Sequence, residues 1–218
     1  MMTLTDDQRL LQDSIRPFMA EEGAIKKQLR HWRDTGCTDG YGTAFWKQFA
    51  ELGLTGILIP ENMGGAGLGA VEAGVVLEEV GRNLSPSPFL TTAVAAVRAL
   101  EGSAQAERWF PGIAAGETVA ALAIDEGRHH DPAGTAMEAK RQGNGFVLNG
   151  AKQFVVHGNS AHVILVAARP AGGAGEKEGL TLFAVEKGAD GLDVDTATLA
   201  DSSKASRLHF DNVAVDAD

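Results

Sequence analysis

The sequence predicts an α+β protein of two domains, an all-α domain followed by an antiparallel β-barrel or sandwich. Upstream of Gly116, apolar residues recur at helical spacing, and Gly and Pro residues interrupt the pattern. From Val119 onward, short runs rich in Val, Phe and Leu alternate with clusters of Gly, Asn, Asp and Pro, as is typical of strands and turns. We therefore expect a helical domain over residues 1–117 and a β-domain over residues 118–218.

Five helical segments are expected in the first domain. Thr5 is a good helix start, because its hydroxyl can cap the helix while Asp6 and Asp7 interact favourably with the helix dipole. The apolar stripe that follows predicts a helix to about Glu22. Further helices are predicted over residues 43–52, 70–83, 90–100 and 104–113, and an exposed connection over residues 25–41.

Short strands are expected throughout the second domain. They are predicted over residues 119–124, 146–148, 152–156, 162–168, 180–185, 192–194 and 206–215. The Asn149-Gly150 pair separates two of these runs and predicts a β-hairpin turn. The glycine-rich residues 171–179 predict a mobile hairpin loop.

The composition limits the function classes. The 218 residues are 44% hydrophobic, which is enough for a substantial core, and 29 acidic against 19 basic residues give a net charge of −10. Without a basic stripe, nucleic acid is an unexpected partner. Only one cysteine, Cys37, is present, which fits a reducing compartment and predicts a cytoplasmic protein. No secretory signal or membrane-length apolar run is found, so no membrane association is expected.

Two local motifs invite other interpretations. Gly65, Gly67 and Ala70 fit the G-x-G-x-x-A pattern of dinucleotide-binding folds, but that site needs a strand on each side of the helix, and Pro60 and the proline-rich residues 84–88 argue against both. We expect a tight loop between helices. The adjacent pair His129-His130 chelates a metal poorly, because neighbouring side chains of an extended chain diverge, so no metal site is expected.

Four stretches together resemble a known family. They are IPENMGGAGL at residues 59–68, LAIDE at residues 122–126, LNGAK through HG at residues 148–158, and LHFDNVAV at residues 208–215. In this order, and over essentially the whole chain, the sequence resembles the acyl-CoA dehydrogenases.

The resemblance implies three domains: the N-terminal helical domain, the middle β-domain and a C-terminal four-helix domain, with FAD and acyl-CoA held between them. It implies that a base removes the α-proton of an acyl-CoA thioester while the flavin accepts hydride from the β-carbon, which gives a 2-enoyl-CoA. It also implies electron-transfer flavoprotein as the electron acceptor and assembly into a homo- or hetero-oligomer.

The resemblance also assigns cofactor-binding residues. Leu122, Ile124 and Asp125 are expected to approach the flavin mainly through backbone groups. His130 is expected to lie near the pyrophosphate, and Phe154 and Val156 are expected to border the isoalloxazine ring. The family usually has Trp and Thr or Ser where this chain has Phe154 and Val156, and a neutral hydroxyl where it has Asp125. The usual catalytic glutamate is expected beyond Asp218, so the catalytic residue is unknown, and the chain alone is expected to be inactive.

These departures leave two alternatives open. The first is a non-catalytic, flavin-poor subunit of a heteromeric acyl-CoA dehydrogenase, which the altered residues at Asp125, Phe154 and Val156 motivate. The second is a flavin monooxygenase on the same fold, because a fold does not fix a reaction. The acyl chain of the substrate is not predicted by the sequence.

Overall fold

The computed structural model describes residues 4–217, and the chain divides into two compact units, Met1–Thr118 and Val119–Asp218. The first unit is helical. Its elements are α1 (Asp6–Glu21), α2 (Leu29–Asp34), α3 (Thr43–Glu51), a short 3-10 helix (Glu61–Met63), α4 (Ala70–Asn83), a π-helix (Phe89–Ala96), α5 (Val97–Leu100) and α6 (Gln105–Ala114). No helix of the described part of the chain is long and apolar enough to cross a membrane.

Helix α1 begins where the sequence predicts. The Thr5 hydroxyl accepts a hydrogen bond from the Gln8 N–H at 3.3 Å, and the Gln8 side chain accepts one from the Thr5 N–H at 3.0 Å. This reciprocal pair satisfies two of the backbone donors that a helix start leaves open. Farther along α1, Arg16 donates to the fully buried carboxylate of Glu79 on α4 at 3.0 Å, which ties the two helices together.

An aromatic cluster fills the core of this unit. The Phe49 ring lies 5.0 Å from Phe45, and both pack around Phe18 of α1. Trp46 and Phe89 extend the cluster, with their rings 5.9 Å from that of Phe49. Rings at such separations add packing energy to the apolar area that they bury.

Two segments of this unit differ from the sequence-based expectation. The predicted exposed connection contains helix α2, which is anchored by a hydrogen bond of 2.9 Å from the Trp32 indole to the buried Gln28. The helix predicted over residues 90–100 begins as a π-helix and becomes α-helical only at Val97.

The glycine loop is a tight turn between helices, as expected. Residues 54–60 before it form turns, and Gly64 takes a left-handed conformation with φ +88°. At the start of α4, the Glu72 carboxylate accepts a hydrogen bond from the Gly69 N–H at 2.9 Å. Since this carboxylate occupies the positive end of the helix dipole, the loop does not offer the phosphate cradle of a dinucleotide-binding fold.

The second unit consists of two open sheets. Its strands are β1 (Ala120–Ala123), β2 (Glu138–Gln142), β3 (Gly145–Val156), β4 (Val163–Ala168), β5 (Thr181–Glu186), β6 (Leu192–Thr198) and β7 (Lys204–Asp216). The sheet orders are β1-β4-β5 and β2-β3-β7-β6. Only the β1–β4 pair is parallel among these ladders. The predicted fold class, helices followed by an antiparallel-rich β-domain, is confirmed, and the sheets do not close into a barrel.

Both sheets contribute to one apolar core. Small residues of β1 and branched residues of β4 meet larger side chains of β3 and β7. The buried members are Ala121, Ala123, Met137, Ala139, Leu148, Val155, Ala161, Ile164, Val166, Ala168, Phe183, Val185, Leu208, Phe210 and Val213.

The predicted hairpin turn at Asn149-Gly150 is wrong. Residues 145–156 form one strand, and both halves of it pair with β7, with a register shift between Leu148 and Gly150. The Asn149 side chain accepts a hydrogen bond from the Asn212 N–H of β7 at 2.9 Å, so the pair forms a bulge within the ladder. The long partner strand outweighs the local turn preference.

The glycine-rich loop predicted to be mobile is tied to the rest of the unit by Arg169. This side chain is only 3% exposed, and its guanidinium donates to four backbone carbonyl groups. Two of them, Glu176 and Glu178, belong to the loop, at 2.6 and 2.8 Å, and two, Ala133 and Thr135, belong to the turn that follows β1, at 2.8 and 2.6 Å.

Candidate functional site

The most distinctive feature of β3 is an exposed aromatic ring near its end. Lys152 and Val155 both point into the core, although they are three positions apart, because a register shift interrupts the ladder between them. In a regular strand Phe154 would share the buried side with Lys152. The bulge turns it outward instead, so that Phe154 is 62% exposed and has φ +54°.

This conformation is costly and therefore informative. An aromatic residue with positive φ is uncommon, and exposure of a large ring gains nothing for the core. Val156 is also partly exposed, and the buried Val155 separates it from Phe154, so both side chains project from the outer side of the strand. Strain combined with an exposed apolar ring indicates a surface prepared for a flat ligand.

The end of β1 lies beside this strand. Gln153, the chain neighbour of Phe154, donates its backbone N–H to the Asp125 carbonyl at 2.8 Å. Ile124 and Asp125 are half-buried, and Leu122, two residues earlier, pairs with Leu165 of β4. The structure thus brings the predicted residues Ile124, Asp125 and Phe154 into one neighbourhood.

The carboxylate of Asp125 is engaged by the turn that follows it. Its oxygens lie 3.0 and 3.1 Å from Nδ1 of His130, and one accepts a hydrogen bond from the Asp131 N–H at 3.1 Å. His130 is 68% exposed at its side chain, so the pair lies at the surface. The negative charge of Asp125 is therefore directed to the loop.

A buried ion pair between Lys152 and Glu126, which no sequence pattern indicated, lies beneath these residues. The Lys152 ammonium is fully buried and donates to the Glu126 carboxylate at 2.8 Å and to the Ile124 carbonyl at 2.9 Å. Glu126 also accepts the backbone N–H groups of Ala136 and Met137, at 2.9 and 3.0 Å. The sequence does not show which side of β3 Lys152 occupies. Once its burial is known, a charged partner is expected, since lysine is almost never fully buried unless it is paired.

The electrostatics of the pair follow from its surroundings. Burial opposes ionisation of Glu126, but the hydrogen bonds from Lys152, Ala136 and Met137 outweigh it, and the pKa of this carboxyl is lowered. Burial lowers the pKa of Lys152, against the opposing effect of Glu126. Burial thus acts against the charged form of both side chains, and their mutual contact favours it.

The end of β3 and the exit from β1 offer surfaces that fit a flat cofactor such as a flavin. The exposed Phe154 ring offers a stacking surface, and the pinned backbone at Ile124 and Asp125 offers polar groups at its edge. By contrast, residues 4–217 contain no group of three or more His, Cys, Asp or Glu side chains that could hold a metal ion.

Comparison with protein families identifies both units. The model of the acyl-CoA dehydrogenase N-terminal domain matches residues 5–117, and that of the acyl-CoA dehydrogenase middle domain matches residues 121–213. Together the two matches account for nearly all of the chain.

Individual relatives agree with this result. Isovaleryl-CoA dehydrogenase, mitochondrial, from Pongo abelii is 31% identical over 203 residues, which cover 87% of this chain and 46% of the relative. Benzylmalonyl-CoA dehydrogenase from Aromatoleum aromaticum is 31% identical over 204 residues, 88% of this chain and 50% of the relative. A solved variant of the Tcur3481-Tcur3483 steroid ACAD superposes with a TM-score of 0.85 at 30% identity, over 98% of this chain and 57% of that one.

The chain spans about half the length of the curated relatives that it matches. The two family models and these relatives agree with the resemblance seen in the sequence motifs. This chain belongs to the acyl-CoA dehydrogenase family, a family of oxidoreductases.

Proposed function

We propose that this chain is the helical and middle part of an FAD-dependent acyl-CoA dehydrogenase, which converts an acyl-CoA thioester into a 2-enoyl-CoA. The single observation that carries the proposal is the outward, strained Phe154 beside the pinned end of β1. The names of the relatives support it, since the curated matches act on isovaleryl-CoA and benzylmalonyl-CoA.

The predicted cofactor residues take distinct roles in this proposal. Phe154 and Val156 border the isoalloxazine ring, and Leu122, Ile124 and Asp125 approach it through backbone groups. Because Val156 carries no hydroxyl, a hydrogen bond to the ring at that position comes from the backbone.

His130 contributes through its second ring nitrogen. Its Nδ1 lies 3.0 Å from the Asp125 carboxylate, so Nε2 is the ring nitrogen that faces the cofactor pyrophosphate in this proposal. Asp125 thus orients His130 and binds the cofactor itself only through its backbone.

The protein's part in the reaction is positional and electrostatic. A bound flavin supplies the acceptor for the hydride that leaves the β-carbon. The polar backbone at the end of β1 fixes the edge of the site, while the Phe154 ring covers one side of it and excludes water. We assign no catalytic base among the described residues, and the glutamate that the family resemblance implies falls outside them.

The partners follow from the same proposal. The substrate is an acyl-CoA, the electron acceptor is electron-transfer flavoprotein, and the protein assembles into a homo- or hetero-oligomer. The single cysteine, half-buried Cys37, supports a reducing, cytoplasmic compartment. The alternative of a non-catalytic, flavin-poor subunit is not favoured, because the named relatives are dehydrogenases.

Flavin content and substrate reduction test the proposal together. A longer protein that carries this chain together with the family's C-terminal domain, supplied with FAD and freed of excess cofactor, is expected to retain a yellow flavin. Under anaerobic conditions a panel of acyl-CoA esters should bleach its visible absorption band, and the matching free acids serve as controls. Absence of retained flavin would refute the assignment. A retained flavin that no acyl-CoA reduces, but that a reduced nicotinamide and oxygen turn over, would favour the monooxygenase.

A further inference from the structure

Three consecutive carbonyl groups at the end of β1 are held by two consecutive residues of β3. We call Ile124–Glu126 the exit segment and Lys152–Gln153 the anchor pair. The Lys152 ammonium binds the Ile124 carbonyl at 2.9 Å, the Gln153 N–H binds the Asp125 carbonyl at 2.8 Å, and the Gln153 side-chain amide binds the Glu126 carbonyl at 2.9 Å.

Holding these carbonyls also sets the direction of the backbone donors. In a planar trans peptide, the N–H of each residue points opposite to the carbonyl of the residue before it. The anchor pair binds the carbonyls of residues 124, 125 and 126, so the N–H groups of residues 125, 126 and 127 each point away from the group that binds the neighbouring carbonyl. Holding the three carbonyls therefore also fixes the direction of these three backbone donors.

The same contacts close the base of the following turn. The Glu126 carboxylate takes the Lys152 ammonium at 2.8 Å and the N–H groups of Ala136 and Met137 at 2.9 and 3.0 Å. The Glu126 carboxylate therefore joins the two ends of the turn that residues 127–135 form. The turn also carries His130, so its position depends on the same ion pair.

Stability alone gives a weak reason for this arrangement. Two charges removed from water lose hydration that their attraction only partly restores, and packed apolar side chains often replace such a pair without loss. A buried pair is better explained by the geometry that it imposes. Here that geometry also includes the aromatic ring, because Phe154 directly follows the anchor pair and the bulge between Lys152 and Val155 turns it outward.

We propose that Lys152 and Gln153 are positioning residues of the flavin site, which hold the exit segment so that its backbone donors and the Phe154 ring face the same cofactor. The inference rests on the proposed flavin site and adds to it residues that do not touch the cofactor. Its consequence is that neutralising the buried pair loosens the exit segment and weakens flavin binding, although the contact residues themselves are unchanged.

The chain offers a matched control for this test. Lys140 and Glu138 of β2 form a second ion pair at 3.3 Å, with side chains 74% and 66% exposed. The double variant Glu126→Gln with Lys152→Met removes the buried charges together, so that neither is left unpaired. The double variant Glu138→Gln with Lys140→Met makes the same chemical change at the surface. Gln153→Ala, which removes one side-chain hydrogen bond and no charge, is the second probe if the buried double variant does not fold.

Amide hydrogen exchange and FAD titration of the longer protein, with and without these substitutions, give two separate readouts. In the buried double variant we expect residues 125–137 to exchange at least about tenfold faster, while β6 and β7 keep their protection. We also expect the dissociation constant for FAD to rise at least about tenfold, with a shifted visible spectrum. Gln153→Ala should raise the exchange rate of residues 125–137 and the dissociation constant for FAD as well, but by less. The surface double variant should match the wild type in both quantities.

The outcomes separate the inference from the function on which it rests. Unchanged exchange over residues 125–137, together with FAD affinity within about twofold of the wild type, would overturn the positioning role even if the melting temperature fell. Wild-type protein that takes up no FAD would contradict the proposed function. That result would also overturn the positioning role toward a flavin, whereas faster exchange confined to residues 125–137 would still show that the anchor pair holds the exit segment.

Discussion

Replacing Phe154 by glycine should separate the stability of the protein from its function. The residue has φ +54°, a region in which a side chain is strained and glycine is not. Its ring is 62% exposed, so the core loses little when the ring is removed. The same ring, in the proposed site, forms one wall against the flavin.

The expected change in stability is close to zero. Relief of the left-handed strain should contribute about 1 to 2 kcal/mol. Against this, losing the buried third of a phenyl group should cost about 0.6 to 1.1 kcal/mol, and the added backbone freedom about 0.5 to 1 kcal/mol. We therefore expect Phe154→Gly to change the free energy of unfolding by no more than about 1 kcal/mol in either direction. Phe210 on β7 is 1% exposed, and Phe210→Ala should cost about 3 to 5 kcal/mol.

Flavin binding, unlike stability, should be weakened strongly. Stacking of a heteroaromatic ring on an aromatic side chain is worth about 1 to 3 kcal/mol, so Phe154→Gly should weaken FAD binding by about fivefold to a hundredfold. Urea unfolding followed by circular dichroism gives the stability, and fluorescence titration gives the dissociation constant. Phe154→Trp, which keeps an aromatic ring, is the control and should retain affinity. A loss of more than about 2 kcal/mol of stability would contradict the expected relief of strain, and unchanged FAD affinity would contradict the placement of Phe154 against the flavin.

Three further substitutions test other parts of the site. Val156→Thr restores a hydroxyl on a side chain of similar shape and should tighten FAD binding by about twofold to tenfold in a titration; weaker binding would contradict the placement of Val156. Arg169→Met removes four hydrogen bonds to carbonyls and should lower the free energy of unfolding by about 2 to 4 kcal/mol, with faster amide exchange over residues 171–179; a loss below about 0.5 kcal/mol would contradict it. Because the folded protein lowers the pKa of Glu126, the unfolded chain binds this proton more readily, and the stabilisation is present above the ordinary value of 4.5 and is lost as pH falls below it. The stability difference between wild type and Glu126→Gln in urea should therefore shrink on acidification, and a constant difference would show that ionisation of Glu126 does not contribute.

Most of the fold follows from patterns that local chemistry controls. The start of α1 was predictable because Thr5 and the acids after it satisfy the open end of the helix. Strands β4 and β5 were predictable because their apolar residues are consecutive or alternate. Strand β2 was missed, since only Ala139 of its five residues is buried and the strand carries no hydrophobic period.

Long-range contacts decided the rest. Asn149-Gly150 has the local preference of a hairpin turn, yet β7 pairs with both halves of β3 and keeps them in one strand. Similarly, the sequence places Arg169 only at the polar end of a strand. Its four carbonyl partners come together only in the folded chain. In the site, Phe154 and Asp125 followed from family motifs, while Lys152 needed the structure to show which side of β3 it occupies.

A crystal structure of the FAD-loaded protein tests the proposed flavin site most directly. We predict an isoalloxazine ring within van der Waals contact, about 4 Å, of the Phe154 ring, with its polar edge against backbone groups of Ile124 and Asp125. A flavin bound elsewhere, with Phe154 still exposed to solvent, would contradict the proposed site.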